Sequence, residues 1–101
     1  MKGLEIVKEL EKMELTLKLA GRLDTNTAPK LQKVIDEELD CIVHLKLDMA
    51  QIVYVSSAGL RVLFLASKKM SMADGMTIMN VNKEVMNIFS ITGFDRILTI
   101  E

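Results

Sequence analysis

The sequence predicts a single α/β domain, a mixed β-sheet with helices packed against it, in the order β-β-α-β-α-β-α-β. Three observations carry that expectation. Near the N-terminus apolar and polar residues alternate, which is the period of a half-buried strand. Farther along, segments with apolar residues three and four apart take turns with short runs of Ile, Val, Leu and Met, as helices alternate with strands around a parallel sheet. The chain has 101 residues and is 50% apolar, enough for one core and the size of one domain, residues 1–101.

Leu4–Leu10 and Met13–Leu19 are the first two expected strands. In the second, Met13, Leu15, Leu17 and Leu19 share one face and Glu14, Thr16 and Lys18 the other, with Glu11-Lys12 as the tight turn before it. The run Gly21-Arg22-Leu23-Asp24-Thr25-Asn26-Thr27-Ala28-Pro29 is expected to break the strand and open a helix. Its Asp, Asn and Thr supply capping oxygens, and Pro is tolerated in a first turn. Leu31, Val34, Ile35 and Leu39 follow helical spacing, with Lys30, Lys33, Asp36 and Glu37 outward.

Ile42, Val43, Leu45 and Leu47 make the next strand, apolar enough for the middle of a sheet. A short polar connection then leads to Ser56-Ser57 and a helix, Leu60–Lys69, that is apolar nearly all round. Such a helix is covered on more than one side or leaves an apolar surface for a partner. Asp74-Gly75 ends it, and Met76–Val81 forms the fourth strand. Asn82 caps a short helix bearing Val85, Met86, Ile88 and Phe89, Gly93 closes that helix, and Arg96–Ile100 is the last strand.

Composition excludes several classes. The net charge is −1, with Lys and Arg scattered among Asp and Glu, so no basic footprint for nucleic acid is present. The single cysteine, Cys41, cannot form a disulfide within the chain and is expected to be a small, partly buried hydrophobe. Residues Met1–Glu9 are too charged for a signal peptide, and the charge-free run between Asp48 and Arg61 is too short and polar to cross a membrane. A cytoplasmic protein without membrane insertion is therefore expected. Of eight methionines, Met70, Met72, Met76, Met79 and Met86 cluster in the second half and are expected to fill gaps in the core.

A hydrolase built on Ser57 would need a base and an orienting carboxylate close by. The chain has one histidine, His44, in the strand before the serines, and Val55 stands where a hydrolase elbow carries glycine. Neither metal-ligand spacing of Cys and His nor a phosphate-binding glycine loop is present, so no enzyme activity, cofactor or metal is expected. A phosphate acceptor needs much less: an exposed hydroxyl on a rigid element. Ser56 and Ser57 meet that at a helix N-terminus, where free N–H groups and the helix dipole favour an anion. The spacing fits a pair of capping serines with no further role equally well.

The motif Leu47-Asp48, followed by Ile52-Val53-Tyr54-Val55-Ser56-Ser57-Ala58-Gly59-Leu60-Arg61-Val62-Leu63, resembles the central signature of STAS domains, specifically the anti-anti-sigma factor (anti-sigma factor antagonist) family. Gly21-Arg22-Leu23-Asp24 with Thr27-Ala28 is similar to the family's block before its first helix, and Ile88–Ile97 to its closing helix, glycine and final strand. The resemblance implies a STAS-like fold and a switch without catalysis of its own. Members bind an anti-sigma factor that is also a serine kinase, and so free a sigma factor to start transcription. The kinase phosphorylates one serine, the antagonist lets go, and a phosphatase resets it.

The family's usual Asp-Ser-Ser/Thr/Ala-Gly-Leu places the modified serine two residues before the glycine, which is Ser57 here. Ser56 stands where the family often has Asp and is a second candidate acceptor. The resemblance further implies a partner-binding surface of Asp24, Thr25, Ser56, Ser57, Ala58, Gly59 and Arg61, on a monomer or weak dimer. STAS domains also serve as free accessory subunits of ABC lipid transporters and as interaction modules without phosphorylation control, which are the alternative readings.

Overall fold

The computed structural model describes residues 3–101 apart from the Leu39 side chain, so the expected inward position of Leu39 lies outside the described residues. Strands β1 (Leu4–Glu11) and β2 (Glu14–Leu23) form a hairpin, followed by α1 (Ala28–Glu38), β3 (His44–Val55), α2 (Ser57–Met70), β4 (Met76–Met79), α3 (Lys83–Thr92) and β5 (Thr99–Ile100). Leu39–Cys41 and Phe94–Arg96 are short 3-10 turns. The strands lie side by side in chain order. β1 is antiparallel to β2, and all later neighbours are parallel. This is the mixed sheet and element order that the sequence predicts.

Parallel neighbours joined by right-handed crossovers carry their helices on one face of the sheet. The strands agree with that geometry. Leu15, Leu17, Leu19, Leu45, Leu47, Met49, Ile52, Val55 and Ile78 are all buried, and so are Leu31 and Ile35 of α1, Leu60, Leu63 and Ala66 of α2, and Val85 and Phe89 of α3. Burying each large apolar side chain contributes about 1.5–3 kcal/mol. The opposite face is polar. Lys18 pairs with Glu9 at 3.0 Å and Lys46 with Glu14 at 3.2 Å. Thr77 Oγ1 lies 3.2 Å from His44 Nε2. One layer of helices on a sheet with a solvated back therefore explains the two-residue alternation in β2.

Several boundaries differ from expectation. The hairpin turn is Lys12-Met13, because Glu11 pairs with Glu14 and Lys12 takes a left-handed φ of 58°. Met13 thus sits in the turn, 53% exposed, instead of on the core face. β2 does not break at Gly21 but continues to Leu23, and β3 runs on through the expected polar connection to Val55. The register shifts, between Lys18 and Ala20 and between Gly21 and Arg22, put their extra residues in β3 and interrupt its alternation. β2 keeps its period of two to Leu23, and only its Gly21 looks like a break by residue type.

Cys41 is exposed in its 3-10 turn, and Met72 is 91% exposed in the turn after α2, so neither belongs to the core. Met70 and Met76 do belong to it. α2 ends at Met70, four residues before Asp74, and β4 stops at Met79. Because Phe94–Arg96 coil into a 3-10 turn, β5 starts only at Thr99. α2 does meet cover on a second side, where Phe64 packs edge-on against Phe94 at 6.3 Å between ring centres.

Candidate functional site

The serines sit at the carboxyl end of the parallel strands, the end of an open α/β sheet where ligands characteristically bind. β3 passes into α2 with one residue between them, Ser56, in extended conformation. Its backbone N–H donates to the Leu23 carbonyl at 2.9 Å, tying the ends of β2 and β3 together. Its Oγ accepts from the Gly59 N–H at 3.3 Å, so Ser56 is the helix cap. Serine is among the side chains that cap a helix well, so Ser56 opens α2 without a carboxylate. Ser56 is half-buried by this role, whereas Ser57, the first helical residue, is exposed.

Gly59 is buried, and its place is set by space. A Cβ there would stand 2.7 Å from both Leu23 Cγ and the Leu23 carbonyl oxygen. Glycine lets the first turn of α2 press onto the end of β2, so Gly59 shapes the expected surface from beneath instead of presenting atoms to it. Ala58 is half-buried; Thr25 and Arg61 are exposed.

Asp24 lies just past the end of β2. Its Oδ1 accepts from the backbone N–H groups of Asn26 and Thr27 at 3.0 and 3.1 Å, and from the Thr27 hydroxyl at 3.2 Å. Its Oδ2 lies 3.5 Å from Arg22 Nε. Desolvation pushes this carboxyl up, but the bonds from Thr27, Asn26 and Arg22 outweigh it and hold the pKa below its ordinary value. A turn whose donors converge on one oxygen thus keeps an ionised carboxylate at the same end of the sheet as Ser57. The Thr27 hydroxyl also accepts from the Asp24 N–H at 2.8 Å, closing the turn from both sides.

Two participants escape sequence reasoning. The Arg22 guanidinium stacks 4.5 Å above the Tyr54 ring, because the register shift makes these residues cross-strand partners. Nothing in the periodicity announces that pairing. His44, by contrast, starts β3 while Ser57 follows its far end, and the imidazole engages Thr77 and the Asp74 carbonyl instead.

The STAS domain profile matches residues 5–101. This chain belongs to the STAS domain family. The anti-sigma-B factor antagonist of Listeria monocytogenes is 26% identical over 98 residues, covering 94% of this chain and 85% of that protein. Among solved structures, an anti-sigma factor antagonist from Mycobacterium paratuberculosis superposes with a TM-score of 0.86 at 20% identity, over 96% of this chain and 84% of that one. The Bacillus cell fate determinant SpoIIAA, in its phosphorylated form, superposes at 0.75 with 12% identity, over 96% of this chain and 91% of that one. These structural likenesses establish the STAS fold. Among the described residues no helix is long and apolar enough to cross a membrane.

Proposed function

We propose that this STAS domain is an anti-sigma factor antagonist whose partner contact is switched by phosphorylation of Ser57. It has no catalytic role of its own. It binds a serine-kinase anti-sigma factor while Ser57 is bare, releases it when Ser57 carries phosphate, and is reset by a phosphatase. One observation carries the reading: capping of α2 falls to Ser56, which leaves the Ser57 hydroxyl exposed at the first helical position. The antagonist names of its relatives support the same role.

The physics of the switch is local. The first turn of α2 contains no acidic residue, so a phosphate on Ser57 meets the uncompensated positive end of the helix and the fold tolerates it. A partner surface fitted to a bare hydroxyl meets bulk and about −1.5 to −2 charges instead. Burying that charge in an interface costs several kcal/mol or so.

The test combines the purified domain with purified serine-kinase anti-sigma factors of its own organism and ATP. The expected result is a complex before ATP, and afterwards release with one added phosphate by intact mass, mapped to Ser57. Phosphate on Ser56, or a stable complex with fully phosphorylated domain, contradicts the reading.

A further inference from the structure

Resting on that reading, we propose that the docking surface continues past Ser57 onto the bulged end of β3. Val53 and Tyr54 are its apolar contacts and Arg22 its charged one, and the partner segment that fits it carries an apolar side chain next to a carboxylate. Successive strand residues ordinarily face opposite sides of a sheet. Here Gly21 pairs with Ile52 and Arg22 with Tyr54, so Val53 is the extra residue of a bulge. The result is two adjacent outward apolar residues, Val53 at 60% and Tyr54 at 38% exposure. Bulges next to functional sites re-aim side chains at the expense of ladder hydrogen bonds.

The patch adjoins the serines along the chain and through one backbone bond. Tyr54 is two residues before Ser56, and Ser56 bonds to Leu23, the residue after Arg22. It is also pre-ordered. Arg22 stacks on the tyrosine ring at 4.5 Å while its Nε faces Asp24 at 3.5 Å, so little freedom is left to lose on binding. Tyrosine and arginine are the residue types that most often dominate interface energies.

Charge selects the partner. Arg22 and Arg61 against Asp24 leave this rim net positive in a chain whose net charge is −1, which favours a carboxylate-bearing segment. Phosphate on Ser57 reverses the sign of that rim, so the same electrostatics that attract the segment then repel it.

The experiment is calorimetric titration of the whole domain with the purified serine-kinase anti-sigma factor, using Val53→Asp, Tyr54→Ala, Arg22→Gln and, at the far end of α2, Met72→Ser. Thermal melts confirm that each variant folds, and Val53→Ser stands in if Val53→Asp does not. The first three variants are expected to weaken binding about tenfold or more each, and Met72→Ser to leave it unchanged. Wild-type binding with unaltered affinity in all three overturns this inference alone. A wild-type domain that binds no anti-sigma factor overturns the functional reading and the inference with it.

Discussion

Helices α2 and α3 both begin at the carboxyl end of a parallel strand, behind a capping side chain, yet their first turns are finished differently. α3 is complete. Asn82 Oδ1 accepts from Val85 N–H at 2.8 Å, and its Nδ2 donates to the Ile52 carbonyl at 2.7 Å. Glu84 supplies negative charge to the dipole, and Val85 fills the core. α2 has the same cap position but only a 3.3 Å bond from Gly59 to Ser56, no acidic residue in its first turn, and Gly59 where α3 has valine. One start is a closed structural joint. The other is drawn tightly onto β2 and left open in charge, with a hydroxyl at the gap.

The largest expected effect comes from breaking that tight approach. Gly59→Val pushes side-chain atoms into Leu23 and its carbonyl, where backbone cannot give way, and is expected to cost about 3 kcal/mol in urea unfolding. The caps come next. Asn82→Ala removes two bonds, one of them tying α3 to β3, and is expected to cost about 2 kcal/mol. Ser56→Ala removes a single longer bond and is expected to cost about 1 kcal/mol or less. Equal losses from the two would contradict the distinction between a closed and an open joint.

A smaller effect separates Asp24 from the helices. Its folded pKa lies below the unfolded one, so the stability it supplies is fully present above about pH 4 and lost as pH falls through the folded pKa. Asp24→Asn lacks that contribution and is expected to melt with a flatter pH dependence below about pH 4 than wild type. Parallel curves would mean that the turn around Thr27 does not discriminate carboxylate from amide.

The closed joint was legible in the sequence and the open one only in part. Asn82 and Gly93 announce a helix start and stop by residue type alone, and Gly93 does take the left-handed φ of 81°. The core alternation of Leu15, Leu17 and Leu19 reads directly, because one face of the sheet is buried and the other wet. What failed was the end of β2 and β3. Gly21–Leu23 read as a break because Gly21 and Asp24 are turn-type residues, although it is strand. A period of two cannot register an inserted residue, so the end of β3 read as a polar connection although it too is strand. The Arg22–Tyr54 stack, which exists only through that shift, was invisible for the same reason. The helix start at Ser56-Ser57 was legible from the motif, but which of the two serines caps it needed the hydrogen bond to Gly59.

The smallest effect is the most discriminating, because it has opposite signs in two measurements. Ser57→Asp places at α2 the negative charge that Glu84 already gives α3, so it is expected to stabilise the domain by about 0.3–1 kcal/mol, raising the melting temperature by about 1–5 °C. Glu84→Gln takes that charge from α3 and is expected to lose a similar amount. Under the proposed function, the same Ser57→Asp domain binds the anti-sigma factor more weakly, while Ser57→Ala keeps full affinity. A domain that grows more stable as it loses its partner cannot be losing it through unfolding. The switch then lies in the surface charge at Ser57, and a loss of both stability and affinity would instead place it in the fold.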